Sequence, residues 1–172
     1  MRILLISVAL WIAVPTYVRA GEAETKLRAL GDAYMQAYYK GDYDQLKPLY
    51  AENALFLDRT SEAFGPKNTL RFEGREAILN YITKTLVKGG YSDFNFEIQH
   101  AFVVGKRVVY MGILHYKAAG KAVGAPVDSV KLDNHIVSVL SFENNLVVEH
   151  LDFFDFQAYS EQVAKVRKQP KK

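Results

Sequence analysis

The sequence predicts an α+β domain in which a curved, mostly antiparallel sheet wraps around three N-terminal helices. In the first half of the chain, apolar residues recur every three or four positions, as in helices with one buried side. In most of the second half, apolar and polar residues alternate, as in strands with one buried face. Because helices come first and long strands follow, we expect helices and sheet to form separate layers of one core.

The first twenty residues predict a cleaved signal peptide. Arg2 gives a basic start, residues 3–14 are almost wholly apolar, and Val18-Arg19-Ala20 fits a cleavage site after Ala20. An uncleaved anchor is the alternative, but spanning a bilayer takes about 20 apolar residues. We therefore expect signal peptide 1–20, a periplasmic or secreted domain 21–160 without a stable membrane anchor, and a basic tail 161–172.

Composition excludes several classes of function. Without cysteine, the chain has neither a disulfide framework nor a thiol nucleophile. Five of its 22 basic residues lie in the last eight positions and two in the first twenty, so the body between is mildly acidic. We therefore expect no nucleic-acid partner. Close histidine spacing, a glycine-rich phosphate loop and a G-x-S-x-G motif are all absent, so neither a metal nor a cofactor is predicted.

Three amphipathic segments predict the helices. The first covers residues 24–40 and ends at Gly41. Asp42 then caps a second helix with Gln45 as its partner, and Pro48 predicts a kink or a new start. Gly74 precedes the third helix, which ends at a pair of glycines.

Alternating segments predict the strands. A short strand over 54–58 ends on Asp58, and residues 69–72 could form a short edge strand. Four long strands follow, over 94–104, 107–118, 127–142 and 146–156, with a loop of small residues at 119–126 and a helix at 157–168.

Two strand faces decide which polar groups point inward. On the penultimate strand we place Asn134 and Ser138 inside, and Asp133 and His135 outside. His150, Asp152 and Phe154 share one face of the last strand, together with apolar neighbours. A slip of one residue would reverse each assignment.

The order of these segments resembles the nuclear-transport-factor-2-like (NTF2-like) superfamily, especially its SnoaL-like branch. The resemblance covers roughly residues 24–156 and rests on Gly41-Asp42, the strand that ends at Asp58, and the GREAI segment 74–78. It implies a cone-shaped fold with a ligand pocket at the wide end and a homodimer formed through the sheet. Members of this superfamily include isomerases, dehydratases and cyclases, so the fold alone does not define the reaction.

Within that superfamily, the ketosteroid isomerases give the closest comparison of single residues. Their tyrosine donor precedes the glycine by seven residues, and their aspartate base follows it by seventeen, as Tyr34 and Asp58 do around Gly41. The resemblance therefore implies that Asp58 is a base and Tyr34 a donor. The family's third group, an aspartic acid, aligns with Ser138, whereas the similar Asp128 motif lies ten residues too early.

Each candidate also has a simpler interpretation. Asp58 could bond the following turn or pair with Arg59 instead of serving as a base. Tyr34 could be an ordinary aromatic residue of a buried helix face. His150 and Asp152 could lie on a solvent-facing strand instead of in a pocket.

Two hypotheses follow. The first is a pocket for a small, largely apolar molecule, with cofactor-free proton transfer of the isomerase, dehydratase or cyclase type. Its predicted catalytic residues are Asp58 and Tyr34, and its predicted ligand-binding residues are Tyr38, Phe56, Tyr110, Tyr116, Asn134, Ser138, His150, Asp152 and Phe154. The second is a non-catalytic binding or dimeric assembly protein whose own side chains fill the pocket. A cavity below a few hundred cubic ångströms would favour the second.

Overall fold

The computed structural model describes residues 15–65 and 69–169. The predicted signal peptide therefore lies outside the described residues as far as position 14, and residues 15–20 begin the first helix. Within the described part of the chain, no helix is long and apolar enough to span a membrane. The helices are α1 (Pro15–Lys40), α2 (Tyr43–Leu46), α3 (Arg75–Asn80), α4 (Gly120–Val123) and α5 (Phe156–Arg167).

Six strands form one curved, open sheet in the order β2-β1-β6-β5-β4-β3. Strands β1 and β6 run parallel, and the other neighbouring pairs that the structure describes are antiparallel. Together with the N-terminal helices, this sheet confirms the predicted α+β fold class. The strands are β1 (Tyr50–Asp58), β2 (Arg71–Glu73), β3 (Tyr91–Val104), β4 (Arg107–Ala119), β5 (Ser129–Glu143) and β6 (Leu146–Phe154).

The junction between α1 and α2 forms as the sequence predicts. Gly41 has a φ of 67°, a left-handed conformation that favours glycine and ends α1. The Asp42 side chain then accepts a hydrogen bond of 3.1 Å from the backbone N–H of Gln45. Pro48 lies in a separate 3₁₀ turn, Lys47–Leu49, which leads directly into β1.

Helix α1 lies very close to β4 at Gly31. A Cβ at this position would meet the ring and hydroxyl of Tyr110 and the side chain of Val108. The Tyr110 hydroxyl donates a hydrogen bond of 2.9 Å to Asp32, the next residue of the helix. Glycine at this position therefore determines how closely the helix and the sheet approach.

The predicted strand faces are also confirmed. Asn134 and Ser138 are buried on the inner side of β5, whereas Asp133 and His135 are exposed on the outer side. On β6, the same alternation buries His150 and Asp152. The inner face of the sheet therefore carries a group of polar side chains within an otherwise apolar core.

Three segments differ from the sequence prediction. Strand β1 begins at Tyr50, four residues before the predicted start, and α3 continues into a π-helical segment, Tyr81–Val87. The predicted loop at 119–126 contains α4, because Gly120 lets the chain approach the Val127 carbonyl more closely than a residue with a Cβ could.

Helix α5 crosses the domain boundary that we predicted at residue 160. Its residue Val163 is 4% exposed and packs on the sheet. Arg167 donates a hydrogen bond of 2.6 Å from Nε to the carbonyl of Val123 in α4. The packed domain therefore extends to residue 167, because the apolar side of α5 covers core that the sheet leaves open.

Candidate functional site

A cavity of about 280 Å³ lies between the helices and the inner face of the sheet. Its walls are mainly aromatic, and the carboxyl groups among its lining residues belong to Asp58 and Asp152. Most ligand sites have this composition, an apolar wall with a few polar groups. The aromatic lining residues are Tyr38, Tyr39, Tyr43, Phe56, Tyr81, Tyr91, Phe94, Tyr116, Phe154, Phe156 and Tyr159.

The two carboxyl groups are brought together by the parallel pairing of β1 and β6. Asp58 and Asp152 are direct register partners in that pair. Neighbouring strands lie about 4.8 Å apart. Each residue is only 5% exposed, so both carboxyl groups lie in a region of low water content. Their closeness makes the ionisation of one group depend on the charge of the other.

Asp58 lies at the cavity wall and also caps the following 3₁₀ turn. Its Oδ1 accepts hydrogen bonds from the Thr60 N–H at 2.9 Å, the Thr60 hydroxyl at 2.6 Å and the Ser61 N–H at 3.2 Å. Arg59 pairs with Glu62 at 3.0 Å, so the Arg59–Asp58 ion pair that the sequence allowed does not form. The simpler turn-capping interpretation of Asp58 is therefore correct and coexists with its position on the cavity.

Burial raises the pKa of Asp58 to about 6, and the negative charge of Asp152 adds to this rise. The hydrogen bonds from Thr60 and Ser61 stabilise the charged form and partly oppose the rise. A carboxyl group with this pKa is mostly ionised at pH 7 and readily accepts a proton. This is the range in which general bases operate at neutral pH.

Asp152 is held by a chain of buried polar groups. Its Oδ1 accepts hydrogen bonds from the Ser138 hydroxyl at 2.5 Å and from Nε2 of His150 at 2.9 Å. Nδ1 of His150 lies 2.7 Å from the Tyr34 hydroxyl, which also contacts the Tyr50 hydroxyl. Because a carboxylate only accepts, Nε2 of His150 donates to Asp152, and Nδ1 on the other side of the ring faces the Tyr34 hydroxyl. These contacts fix the orientation of the Asp152 carboxyl group.

The predicted site residues lie in three places: at the cavity wall, behind that wall, and under helix α1. Tyr38, Phe56, Asp58, Tyr116, Asp152 and Phe154 line the cavity. Asn134, Ser138, His150 and Tyr34 lie behind this wall and are at most 1% exposed. Asn134 accepts a hydrogen bond of 2.9 Å from the Tyr116 hydroxyl, which reaches it from the cavity wall.

Asn134, Ser138 and His150 therefore do not line the cavity as predicted, and Tyr110 and Tyr34 depart further from their predicted roles. Tyr110 is not a lining residue, because its ring lies under Gly31 of α1 and its hydroxyl bonds Asp32. The Tyr34 hydroxyl is enclosed by Tyr50 and His150 and does not face a ligand. The donor position that the family resemblance implied for Tyr34 is therefore occupied by the protein itself.

Several tyrosines of the cavity were not among the predicted site residues. Tyr39 follows Tyr38 on α1, and its hydroxyl is buried with no hydrogen-bond partner among the described residues. Tyr159 belongs to α5, which we had placed partly outside the domain, and its hydroxyl lies 3.1 Å from that of Tyr91. The position of Tyr39 next to Tyr38 could have predicted that it lines the cavity, because neighbouring residues of a helix can face adjacent sides of one pocket.

The described residues hold no group of histidine and carboxylate side chains arranged to bind a metal ion. The polar groups at the cavity instead suit hydrogen bonding and proton transfer.

Comparison with known proteins identifies the family. The model of the SnoaL-like domain matches residues 32–150. No curated protein is significantly similar to this chain. Two solved structures, from Shewanella putrefaciens and Shewanella denitrificans and both described as SnoaL-like polyketide cyclases, share 27% and 26% identity, with TM-scores of 0.71 and 0.70. Each alignment covers 81% of this chain and 97% of the other.

A more distant match extends the likeness in fold alone. An LEH-like epoxide hydrolase from M. tuberculosis shares 12% identity with a TM-score of 0.65, and the alignment covers 84% of this chain and 93% of that one. The family model covers more than half of the chain and includes α1 from Asp32 and the sheet up to His150. This protein therefore belongs to the family of SnoaL-like domains.

Proposed function

We propose that this protein is an exported, cofactor-independent enzyme that moves a proton within a small, largely apolar carbonyl compound, as isomerases, dehydratases and cyclases do. One observation carries the proposal: two carboxyl groups on paired strands lie at the wall of an aromatic cavity, and one has a pKa of about 6. The Shewanella relatives described as polyketide cyclases support the reaction class.

In this mechanism, the ionised Asp58 removes a proton from the carbon next to the ligand's carbonyl group. The electrons of the broken C–H bond form the enolate, whose negative charge lies mainly on oxygen, and Asp58 becomes a neutral carboxylic acid. Asp58 then returns the proton to another carbon, which gives an isomer. Alternatively, the enolate carbon attacks a second carbonyl group of the ligand, which closes a ring and leaves an alkoxide to take up the proton.

Asp152 acts on Asp58 rather than on the ligand. Its negative charge helps to raise the pKa of Asp58 towards neutral pH. The hydrogen bonds from Ser138 and His150 hold the Asp152 carboxyl group in one orientation. Asp152 is therefore a positioning residue that adjusts the strength of the base.

The cavity volume alone does not separate this proposal from its alternative, a non-catalytic protein. About 280 Å³ lies just below the common range for ligand sites, which begins near 300 Å³. The shape of the wall favours a ligand, since aromatic side chains on α1, β1, β6 and α5 surround empty space instead of filling it.

We further propose a homodimer through the outer face of the sheet. Several large apolar side chains on that face are at least 39% exposed: Phe102, Val104, Met111 and Phe153. Contiguous apolar surface of this kind usually marks a contact with another protein. We therefore propose an exported homodimer that acts on its ligand in the periplasm or in the medium.

Exchange of the α-protons of 2-tetralone in deuterated water tests the reaction, because it needs a base but no cofactor. Proton NMR should show that the protein accelerates the exchange and that Asp58→Asn abolishes the acceleration. Asparagine still caps a turn, so the variant should fold normally. Asp155→Asn is the matched control, because Asp155 caps α5 through a 2.8 Å bond to Ala158 but does not line the cavity. Unchanged exchange in Asp58→Asn would overturn the assignment of the base.

A further inference from the structure

We propose that the hydroxyl groups of Tyr38 and Tyr39 form the donor pair that binds the ligand's carbonyl oxygen, so that the ligand must carry an oxygen acceptor at the α1 side of the cavity. This inference rests on the proposed function, because it assigns the place of the carbonyl group that the reaction requires. It also gives the donor role to two residues one helical turn beyond Tyr34.

Both tyrosines line the cavity, and neither hydroxyl has a hydrogen-bond partner in the described parts of the chain. The Tyr39 hydroxyl is moreover closed to solvent, so water does not satisfy it in the free protein. A buried hydroxyl without a partner destabilises the folded state. Because phenylalanine would avoid that cost, the hydroxyl group needs an explanation other than folding stability.

Several other tyrosine hydroxyls near the cavity have partners, whereas Tyr43 and Tyr81 line the cavity and, like Tyr38, make no hydrogen bond within the described residues. Tyr34 contacts Tyr50 and His150, and Tyr116 donates to Asn134 at 2.9 Å. Ser138 aligns with the third donor of the ketosteroid isomerases, but its hydroxyl group donates to Asp152. It is near enough to Tyr39 to influence its pKa, but the two groups do not meet hydrogen-bond geometry. The hydroxyl groups of Tyr34, Tyr116 and Ser138 therefore make hydrogen bonds within the protein and are not available to a ligand.

The surroundings keep both phenols in the form that donates. Burial raises the pKa of Tyr38 and of Tyr39 well above the usual value, and the negative charge of Asp152 raises it further. Tyr38, Tyr39 and the two carboxyl groups of Asp58 and Asp152 line the same cavity.

Aromatic packing holds the pair in place. The Tyr38 ring lies 5.0 Å from the Tyr39 ring at an angle of 90° and 5.1 Å from the imidazole of His150. The Tyr39 ring lies 5.2 Å from Phe96 of β3. A donor that is fixed before the ligand arrives loses little freedom on binding. Because the Tyr39 hydroxyl is enclosed, its ring must turn towards the cavity when it donates to the ligand.

A matched pair of probes tests this inference. 2-Tetralone and tetralin share one bicyclic carbon skeleton, and only the ketone has an oxygen acceptor. We expect the Tyr38→Phe/Tyr39→Phe double variant to bind 2-tetralone about tenfold more weakly, the scale of two neutral hydrogen bonds, and tetralin unchanged. Dissociation constants come from NMR titration, and both single variants should show a part of the loss.

A stability measurement accompanies the binding test and needs no ligand. The double variant should unfold at the same urea concentration as the wild type or a higher one, because no protein hydrogen bond is lost. Tyr116→Phe is the control, since it breaks the bond to Asn134 and should unfold earlier. Loss of stability in the double variant equal to that of the control would overturn the inference, because it would reveal a partner within the protein.

The outcomes separate the two proposals. If wild-type protein binds neither probe, the proposed function fails, and the donor pair fails with it. Suppose instead that wild-type protein binds both probes, and that the double variant binds each of them as tightly as wild type or loses affinity for both equally. The donor pair alone is then wrong. Selective weakening of ketone binding supports both.

Discussion

Asp58 and Asp152 are register partners on the parallel strands β1 and β6, so that two carboxyl groups share one wall of the cavity. Ninety-three residues separate them in the chain, and the pairing of the first strand with the last brings them together. Asp58 is held by the turn that follows it, and Asp152 by a buried chain of hydrogen bonds.

The pH dependence of proton exchange should follow the ionisation of Asp58. Because the base must be ionised, the rate rises with pH and levels off above a midpoint near pH 6. Asp152→Asn removes a negative charge that raises the pKa of Asp58, so the midpoint should move to lower pH while some activity remains. Rates of 2-tetralone exchange from about pH 4 to about pH 8, roughly two units on either side of the midpoint, measure both profiles. A midpoint that stays fixed in the variant would contradict the coupling.

Tyr34→Phe should destabilise the fold by about 1–3 kcal/mol, because it leaves the buried Nδ1 of His150 and the Tyr50 hydroxyl without their partner. Urea unfolding gives the change in the free energy of unfolding. Tyr38→Phe is the matched control, since it removes a hydroxyl that makes no hydrogen bond within the described residues and should change stability by less than about 0.5 kcal/mol. Equal effects of the two substitutions would disprove the buried chain.

Gly31→Ala should destabilise the protein by about 1–3 kcal/mol, although alanine favours a helix, because the new methyl group overlaps Tyr110 and approaches Val108. Thermal or urea unfolding measures the loss. Tyr110→Phe removes the oxygen atom that the new Cβ would meet first, so it should recover part of the loss when combined with Gly31→Ala. A stabilised Gly31→Ala variant would show that α1 can move away from β4.

Phe153→Glu should convert the proposed dimer into a monomer, because it places a charge on the exposed apolar face of the sheet. Phe153 is register partner of Val137, which pairs in turn with Met111, so these side chains form one cross-strand row. Analytical ultracentrifugation measures the mass, and circular dichroism checks that the fold is retained. Asn80→Glu adds the same charge at an exposed helix position and should leave the dimer intact. A monomeric wild-type protein at micromolar concentration would refute the dimer.

Local signals in the sequence were sufficient to predict the helices, the strands and the side of each element that faces the core. Gly41 and Asp42 end one helix and begin the next through contacts within a few residues, so their role follows from spacing alone. The inward direction of Ser138 and Asp152 follows from the two-residue period of a strand and a core on one side. The helical period likewise identified α1 as the element that faces the sheet.

Local signals could not tell which inward residue meets open space and which meets another side chain. Tyr34 and Tyr38 share a face of α1, yet one hydroxyl is enclosed by Tyr50 and His150 and the other residue lines the cavity. Tyr110 points towards the core, as the strand period predicts, but its ring packs against Gly31 and lies away from the cavity. Periodicity gives the direction of a side chain, whereas its neighbour is decided by the packing of distant segments.

The sequence by itself determined the fold class, the order of the elements and the chemistry available on the inner face of the sheet, since these depend on periods and turns that neighbouring residues define. Only the tertiary structure decided that Asp58 and Asp152 form a pair, that Tyr34 belongs to the supporting chain, and that α5 closes the domain beyond residue 160. Those relationships join residues far apart in the chain, and they arise when the first and last strands pair and the helices cover the sheet.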